Sequence, residues 1–202
     1  NLLYRFRWDL SKGLSWMGGF RVLDDLRNSG QLGVNVDNPG KLYAMKLGAQ
    51  RQEAWSKLAF TFPRKVYKSM GLQMQFANQN NQARFGKHNY GGQQQSTYIN
   101  FIYQSIIGTT NHKFKTGLSI QSDRYAERLV QFDTLLPVVW NQQEVVTGAF
   151  FEYTLNVLPK ITLVSGIRGD YSSIFNGFIT PRLHLRYAIS DKTVLRASAG
   201  RG

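Results

Sequence analysis

The sequence has no cysteine, few carboxylates and no apolar run long enough for a membrane-spanning helix. Without cysteine there is neither a disulfide framework nor thiol chemistry. Lysine and arginine number 25 against 12 aspartate and glutamate residues, which gives a formal net charge of +13. These cations are dispersed, and no basic run is longer than Arg64 and Lys65. The absence of a basic patch argues against nucleic-acid binding.

The residues that usually carry catalysis are also scarce. The three histidines, His88, His112 and His184, are far apart and not at metal-ligand spacing. None belongs to a recognisable Ser/His/Asp group, and no glycine-rich phosphate loop is present. We therefore expect a protein that is not an enzyme and that uses neither a metal nor a cofactor.

The chain instead shows a strict alternation of apolar and polar residues, which begins at once in residues 2–10. One side of this segment is wholly apolar: Leu2, Tyr4, Phe6, Trp8 and Leu10. The other side is mostly charged. A period of two is the period of a β-strand, and no segment has the helical spacing of apolar residues with caps. We expect an all-β protein with little helix.

The same alternation returns about ten times, over segments close to the nine to eleven residues that cross a bilayer at a tilt. The predicted strands cover residues 2–10, 14–23, 51–62, 70–77, 96–107, 112–122, 145–155, 161–171, 182–187 and 193–202. The third strand has an alternative start near Lys41. Short turns at 11–13, 63–68, 108–111, 158–160 and 190–192 alternate with longer polar connections, of which 24–40, 78–95 and 123–142 are interpreted as long loops.

This regular segregation of loop lengths favours a membrane barrel over a soluble sandwich. The predicted fold is an antiparallel transmembrane β-barrel, here a curved segment of about ten strands. Its apolar positions would face lipid, with interfacial rings at Tyr4, Trp8, Trp16, Tyr103, Tyr153 and Tyr187. The predicted lumen-facing residues are Arg5, Arg7, Asp9, Lys57, Gln73, Gln75, Lys113, Lys115, Arg168, Asp170, Arg182, His184, Arg186 and Arg196.

Three motifs in the last third carry a family resemblance. Residues 166–171, GIRGDY, resemble the G-x-R-x-D-Y strand of TonB-dependent outer-membrane receptors, and 180–183, TPRL, resemble the opening of the following strand. Residues 195–202, LRASAGRG, are similar to a later strand of that family. The resemblance implies a barrel of about 22 strands closed by a plug and energised through TonB. Residues 1–202 would be a middle portion of that barrel domain, without the plug, the TonB-contacting segment or the last strands.

The resemblance implies TonB-dependent uptake of a scarce nutrient, such as a siderophore, a corrinoid or an oligosaccharide, across the bacterial outer membrane. The implied partners are lipid, the plug, TonB and an unknown nutrient, with a surface lipoprotein or a larger envelope complex as a further option. A passive porin or a structural barrel subunit is the alternative. Exposed aromatic and cationic groups in the long loops are the predicted cargo contacts: Arg84, Phe85, His88, Tyr90, Arg124, Tyr125 and Trp140.

The two end segments give a geometric expectation. Residues 2–10 and 193–202 are both good strands, and ten strands are too few to close a barrel of receptor size. We expect them at opposite edges of a curved antiparallel sheet. Tyr153, Leu163 and Leu185 would lie on its convex face, with Arg168 and Arg186 on its concave face.

Overall fold

The computed structural model describes residues 1–34, 42–131, 136–157 and 160–201. These residues form one curved, ten-stranded antiparallel sheet in which each strand pairs with its neighbours in sequence. The strands are β1 (Leu2–Ser11), β2 (Leu14–Gly30), β3 (Ala44–Thr61), β4 (Ser69–Phe85), β5 (His88–Ile107), β6 (Thr109–Val130), β7 (Val138–Val157), β8 (Ile161–Ser172), β9 (Asn176–Ser190) and β10 (Thr193–Gly200). No helix able to cross a membrane occurs among the described residues.

The predicted sheet and its edges are confirmed. β1 and β10 lie at opposite ends of the strand order and do not pair with each other over the described residues. Connections alternate between two ends of the sheet. The turn end carries Gly13, residues 62–68, Gly108 and residues 191–192. At the tip end β2, β4, β6 and β8 end, and β3, β5, β7 and β9 begin. The predicted turn at 158–160 has only Lys160 among the described residues.

The strand register sorts the side chains onto two faces. Arg5 pairs with Gly19, Gly19 with Trp55, and the same line of partners continues to Asn176 on β9. On β10, Arg196 pairs with Arg186 of β9. Following each strand in steps of two from this line places all fourteen predicted lumen residues on one face, which we call the polar face. Tyr153, Leu163 and Leu185 lie on the opposite, apolar face.

The sheet has almost no core of its own. Among the described residues the buried apolar side chains are Ala44 and Ala77, at 0% and 5% exposure. Large apolar side chains are exposed instead, among them Leu118 at 63% and Ile167 at 52%, both on the apolar face. A soluble chain of this length would bury a core. The apolar face therefore needs an apolar covering that is external to this sheet.

The apolar face is apolar over only part of each strand. On β4 it shows Met70, Leu72, Met74 and Phe76, and then changes to Asn78, Asn80, Gln82 and Arg84 towards the tip end. We call the apolar part the apolar band. On β4 it covers the seven residues from Met70 to Phe76, slightly fewer than the nine to eleven that cross a bilayer at a tilt.

The apolar band runs at an angle to the hydrogen-bonded rows. The row that starts at Leu14 on β2 leads across the sheet to Pro181 on β9. On β2 the band lies on the tip side of this row, up to Val22, whereas on β9 it extends to the turn side, through Leu185. The strands are therefore tilted relative to the band, as strands are in barrels.

The predicted long loops are the main error of the sequence analysis. The expectation of a loop over 78–95 is wrong, because β4 runs to Phe85 and β5 starts at His88, joined only by Gly86 and Lys87. Likewise β2 continues to Gly30, β3 starts at Ala44, β6 continues to Val130 and β7 starts at Val138. Residues 35–41 and 132–135 of the predicted loops lie outside the described residues.

Candidate functional site

The tip end of the polar face gathers aromatic and acidic side chains on three adjacent strands. β5 brings Tyr90, β6 brings Tyr125 and Glu127, and β7 brings Trp140 and Glu144. All five lie beyond the apolar band, on strands that continue past it. We call this group the tip-end polar site. It is positioned by backbone pairing, since Glu127 pairs with Trp140 and Tyr125 with Gln142.

Tyr90 and Glu127 form the best-defined contact of this site. The Tyr90 hydroxyl donates to Glu127 Oε1 at 2.6 Å, across the β5–β6 pair. Trp140 stands beside Glu127 on the next strand and is 48% exposed. An exposed ring next to a fixed carboxylate offers a stacking surface and a hydrogen-bond acceptor to one ligand.

A second chain of hydrogen bonds runs towards the apolar band. Gln94 Nε2 donates to the Tyr125 hydroxyl at 3.3 Å and to Ser96 Oγ at 3.1 Å. Ser96 in turn donates to Asp123, and Gln121 Nε2 donates to the same carboxylate at 2.7 Å. Asp123 is 6% exposed, so its carboxylate is stabilised by hydrogen bonds from these polar partners rather than by water.

The carboxylates shift the ionisation of both tyrosines. Glu127 accepts a hydrogen bond from the Tyr90 hydroxyl, and this bond stabilises the protonated phenol. The pKa of Tyr90 is therefore raised above 10.0, and burial raises it further. The pKa of Tyr125 is also raised, mainly by burial and then by the charge of Asp123. Both phenols therefore stay protonated donors at neutral pH.

The structure separates the seven predicted cargo residues into two groups. Phe85, His88, Tyr90, Tyr125 and Trp140 share the polar face near the tip end. Arg84 and Arg124 lie on the other side of the same strands, and Arg124 Nη2 donates to Gln143 Oε1 at 3.5 Å. None of the seven lies in a loop: all are strand residues.

Sequence reasoning missed the acidic members of the site. Glu127 and Glu144 were not predicted, and neither was the adjoining Asp123, although the segment 123–128, DRYAER, carries a usable signal. Its odd-numbered positions are Asp123, Tyr125 and Glu127, so the strand period persists after the alternation of hydropathy has ended. Which residues these side chains meet depends on the pairing with β5 and β7.

From the edge of the apolar band towards the turn end, the polar face carries several ion pairs. Glu53 Oε2 accepts from Arg51 at 3.1 Å and from Arg21 at 3.3 Å, and Gln75 donates to its other oxygen. Glu152 pairs with Lys115 at 3.5 Å and Arg182 at 2.6 Å. These carboxylates balance the inward cations, and a polar, water-accessible interior tolerates such pairs.

The described residues contain no group of three or more His, Asp or Glu side chains arranged to hold a metal ion. The histidines lie apart. His88 is at the tip end of the polar face, and His184 is on the polar face of β9. His112 is on the apolar face of β6, where its Nδ1 is hydrogen-bonded to the Tyr153 hydroxyl.

Comparison with known proteins gives a family and a fold. A family model described as TonB dependent receptor-like, beta-barrel, matches residues 1–202, as the motifs at 166–171 and 195–202 predict. This is a family of receptors and transporters of the bacterial outer membrane. A comparison with curated proteins gives no match.

Solved structures share the fold at low sequence identity. The alcaligin outer-membrane receptor FauA from Bordetella pertussis is 14% identical, with a TM-score of 0.72 over 97% of this chain and 34% of its own. The ferripyoverdine receptor of Pseudomonas aeruginosa is 12% identical, with a TM-score of 0.74 over 97% and 34%. The RagAB peptide transporter is 9% identical, with a TM-score of 0.61 over 94% and 30%. The chain thus spans about a third of each of these structures.

Proposed function

Because this chain belongs to the TonB-dependent receptor β-barrel family, we propose that it forms part of the barrel wall of an active transporter. The transporter takes up a scarce nutrient across the bacterial outer membrane with energy delivered through TonB. The nutrient is a siderophore, a corrinoid or an oligosaccharide. Proteins of similar fold are named for alcaligin, ferripyoverdine and peptide, so this fold accommodates cargoes of different chemistry.

One observation carries this proposal. A sheet of about 200 residues that buries only two alanines among its described apolar residues presents a continuous apolar band on one face. The opposite face carries ion pairs such as Arg182 with Glu152. Lipid against the band and a plug with water against the polar face would satisfy both surfaces.

In this orientation the tip end is extracellular and the turn end is periplasmic. Lysines concentrate at the turn end, with Lys12, Lys65, Lys68 and Lys192 in its turns, where they reach the headgroup level. The tall strands β3–β7 rise beyond the bilayer and carry the tip-end polar site to the outer surface. A surface lipoprotein or a larger envelope complex would meet the transporter there.

Cargo capture is assigned to the tip-end polar site. Tyr90, Tyr125 and Trp140 offer rings for stacking, and Glu127 and Gln94 fix the orientation of the two phenols. Rigid strands hold these groups before cargo arrives, which lowers the entropic cost of binding. Arg84 and Arg124 point away from this site and are removed from the cargo assignment.

The test uses the full-length receptor and neighbouring residues on opposite faces of β6. Tyr125→Ala should weaken cargo binding about tenfold, the usual loss for a central aromatic contact. Arg124→Ala should leave affinity unchanged. Equal effects of the two substitutions, or none from either, would remove the cargo assignment.

Energy dependence decides between active uptake and the alternative of a passive porin. Uptake of labelled cargo into cells should stop when TonB is deleted and resume when it is restored. Uptake that continues without TonB would show a pore, whose rate follows the concentration gradient alone.

A further inference from the structure

The tip-end polar site lies on a small grid of side chains on the polar face of β5, β6 and β7. Its three rows are Gly92, Glu127 and Trp140; then Gln94, Tyr125 and Gln142; then Ser96, Asp123 and Glu144. Two strand spacings of about 4.8 Å and four residues at about 3.4 Å give the grid an area of about 10 by 14 Å. Tyr125 lies at its centre, so the grid is one continuous surface around an aromatic ring.

The Tyr90 ring fills the one gap in this grid, above Gly92. A Cβ added at Gly92 would lie 2.5 Å from the Tyr90 hydroxyl and 3.0 Å from its Cζ, so this end of the ring lies directly over the backbone. The sheet covers one side of the ring there, and the other side is turned towards the lumen. With Trp140, which is 48% exposed, the first row therefore has an aromatic ring on either side of Glu127.

Carboxylates are the charged groups of this grid. It contains Asp123, Glu127 and Glu144, and none of its nine residues, all of which the structure describes, is lysine or arginine. The described polar face of β4 beyond the apolar band also has neither. The chain as a whole carries a formal charge of +13, so its cations are concentrated elsewhere. A negatively charged cargo would be repelled at this surface.

The three carboxylates converge without a cation of the grid between them. Asp123 and Glu144 face each other directly across β6 and β7, and like charges in that position destabilise a sheet. The donor to Glu144 is the neutral Ser172 hydroxyl, at 2.6 Å. The charges of all three carboxylates, including Glu127, help to raise the pKa of the central Tyr125. A bound cation would offset this repulsion.

A protonated amine on a sugar suits both the rings and the carboxylates. An ammonium group makes charge-assisted hydrogen bonds to carboxylates and is attracted to the faces of aromatic rings. Sugar rings offer apolar faces for stacking on exposed aromatic side chains such as Trp140. Their hydroxyls can bond to the amides of Gln94 and Gln142.

We propose that the tip-end polar site takes an oligosaccharide that carries protonated amino groups. An amine lies against Glu127 and Glu144, and a neighbouring sugar ring stacks on Trp140. This inference rests on the proposed function, because it names the class of cargo for the same site. It selects the oligosaccharide among the three nutrient classes and adds a positive charge to it.

The experiment measures binding of short glucosamine oligomers to the purified full-length receptor in detergent, at a pH at which their amines are protonated. N-acetylated oligomers of the same length are the matched ligand, because acetylation removes the positive charges and keeps the sugar rings. The glucosamine oligomers should bind at least about tenfold more tightly, since hydrogen bonds between charged groups are stronger than neutral ones. Oligogalacturonate, which carries carboxylates, should bind most weakly.

Two double variants locate the amine. Glu127→Gln with Glu144→Gln should abolish the preference for the glucosamine oligomers, since glutamine keeps an acceptor oxygen but has no charge. The matched control, Asp9→Asn with Asp191→Asn, removes the same charge at the turn end and should preserve the preference. Trp140→Ala should weaken both ligands alike, by about tenfold, because stacking does not depend on the amine.

Four results would each overturn the inference: equal binding of the two oligomers by the wild type, no binding of either, tighter binding of oligogalacturonate, or the same preference in both double variants. Uptake of the oligomers is also compared in cells with and without TonB. TonB-independent uptake with the preference intact would remove the proposed function alone. TonB-dependent uptake with no preference would remove the amine assignment alone.

Discussion

Arg168 and Asp170, two residues apart on the polar face of β8, are joined by two hydrogen bonds. Arg168 Nε donates to Oδ2 at 2.7 Å and Nη2 donates to Oδ1 at 2.6 Å. The same Nη2 reaches Ser119 Oγ on β6 at 2.8 Å, so the pair bridges over β7. The residue beneath it on β7 is Gly148, which pairs with both Ser119 and Asp170.

We expect Asp170→Asn to destabilise the full-length receptor by about 1–3 kcal/mol, because a charged acceptor is lost from a guanidinium that spans three strands. The thermal unfolding midpoint in lipid would report this loss. Asp9→Asn is the control, since Arg7 and Asp9 have the same spacing but are 3.4 Å apart, with side chains 62% and 69% exposed. The midpoint should hardly change there. Equal losses in both variants would contradict the role of the bridge.

Gly148→Ala should displace the Arg168–Asp170 ion pair, which lies over Gly148. A Cβ at this position would lie 2.1 Å from Asp170 Oδ1 and 2.6 Å from Arg168 Nη2, so the ion pair must move. A loss of about 1–3 kcal/mol is expected for such overpacking. Gly169→Ala serves as the control, because its Cβ would meet nothing within 4 Å. Chemical unfolding of the two variants should differ by that amount, and identical curves would count against the close approach.

Adjacent residues of β4 test which face meets lipid. Met74 lies in the middle of the apolar band and is 42% exposed, whereas Gln75 lies on the polar face and donates to Glu53 at 3.0 Å. Met74→Arg should cost about 2–4 kcal/mol if it faces the bilayer centre. Gln75→Arg should be tolerated, since the new guanidinium still reaches Glu53. The folded fraction of each variant is measured after folding into lipid vesicles. A larger loss for Gln75→Arg than for Met74→Arg would show that the two faces are assigned the wrong way round.

The ionisation of Tyr90 tests its bond to Glu127. The pKa of Tyr90 is raised above 10.0 in the folded protein, so the bond contributes stability that is fully present below pH 10. That stability is lost as the pH rises through the higher folded-state value. A phenolate absorbance titration, with Tyr90→Phe subtracted, should show Tyr90 ionising late. Glu127→Gln should move its pKa down towards 10, and an unchanged titration would show that the carboxylate has no influence.

The extent of the strands was predictable only where lipid imposes a contrast between the faces. Within the band, Met70, Leu72 and Met74 alternate with polar neighbours, and the sequence located this strand correctly. Beyond it both faces meet water, so residues 78–82, NQNNQ, show no contrast in hydropathy. Asn and Gln there resemble a loop in composition, yet their backbones continue the ladder to β5.

The candidate site was predictable in its aromatic members and not in its partners. Tyr90 and Tyr125 stand out as rings in polar segments, which the sequence alone displays. Their bonds to Glu127 and Gln94 join residues 37 and 31 positions apart, so they depend on the register of β5 against β6. Arg124 lies on the opposite side because successive residues of a strand face opposite sides of the sheet. This rule does not apply to a loop, so the prediction of a loop hid the position of Arg124.

The pairing of every strand with its sequence neighbours bears on how the sheet is assembled. Each new strand needs to close only the connection to the strand before it, and the entropy of closing a connection grows slowly with its length. A two-residue link such as Gly86 and Lys87 makes that step local. The sheet can thus grow in chain order, with each new strand pairing with the strand added before it. An insertion within one connection would delay a single step and leave the pairing of all other strands unchanged.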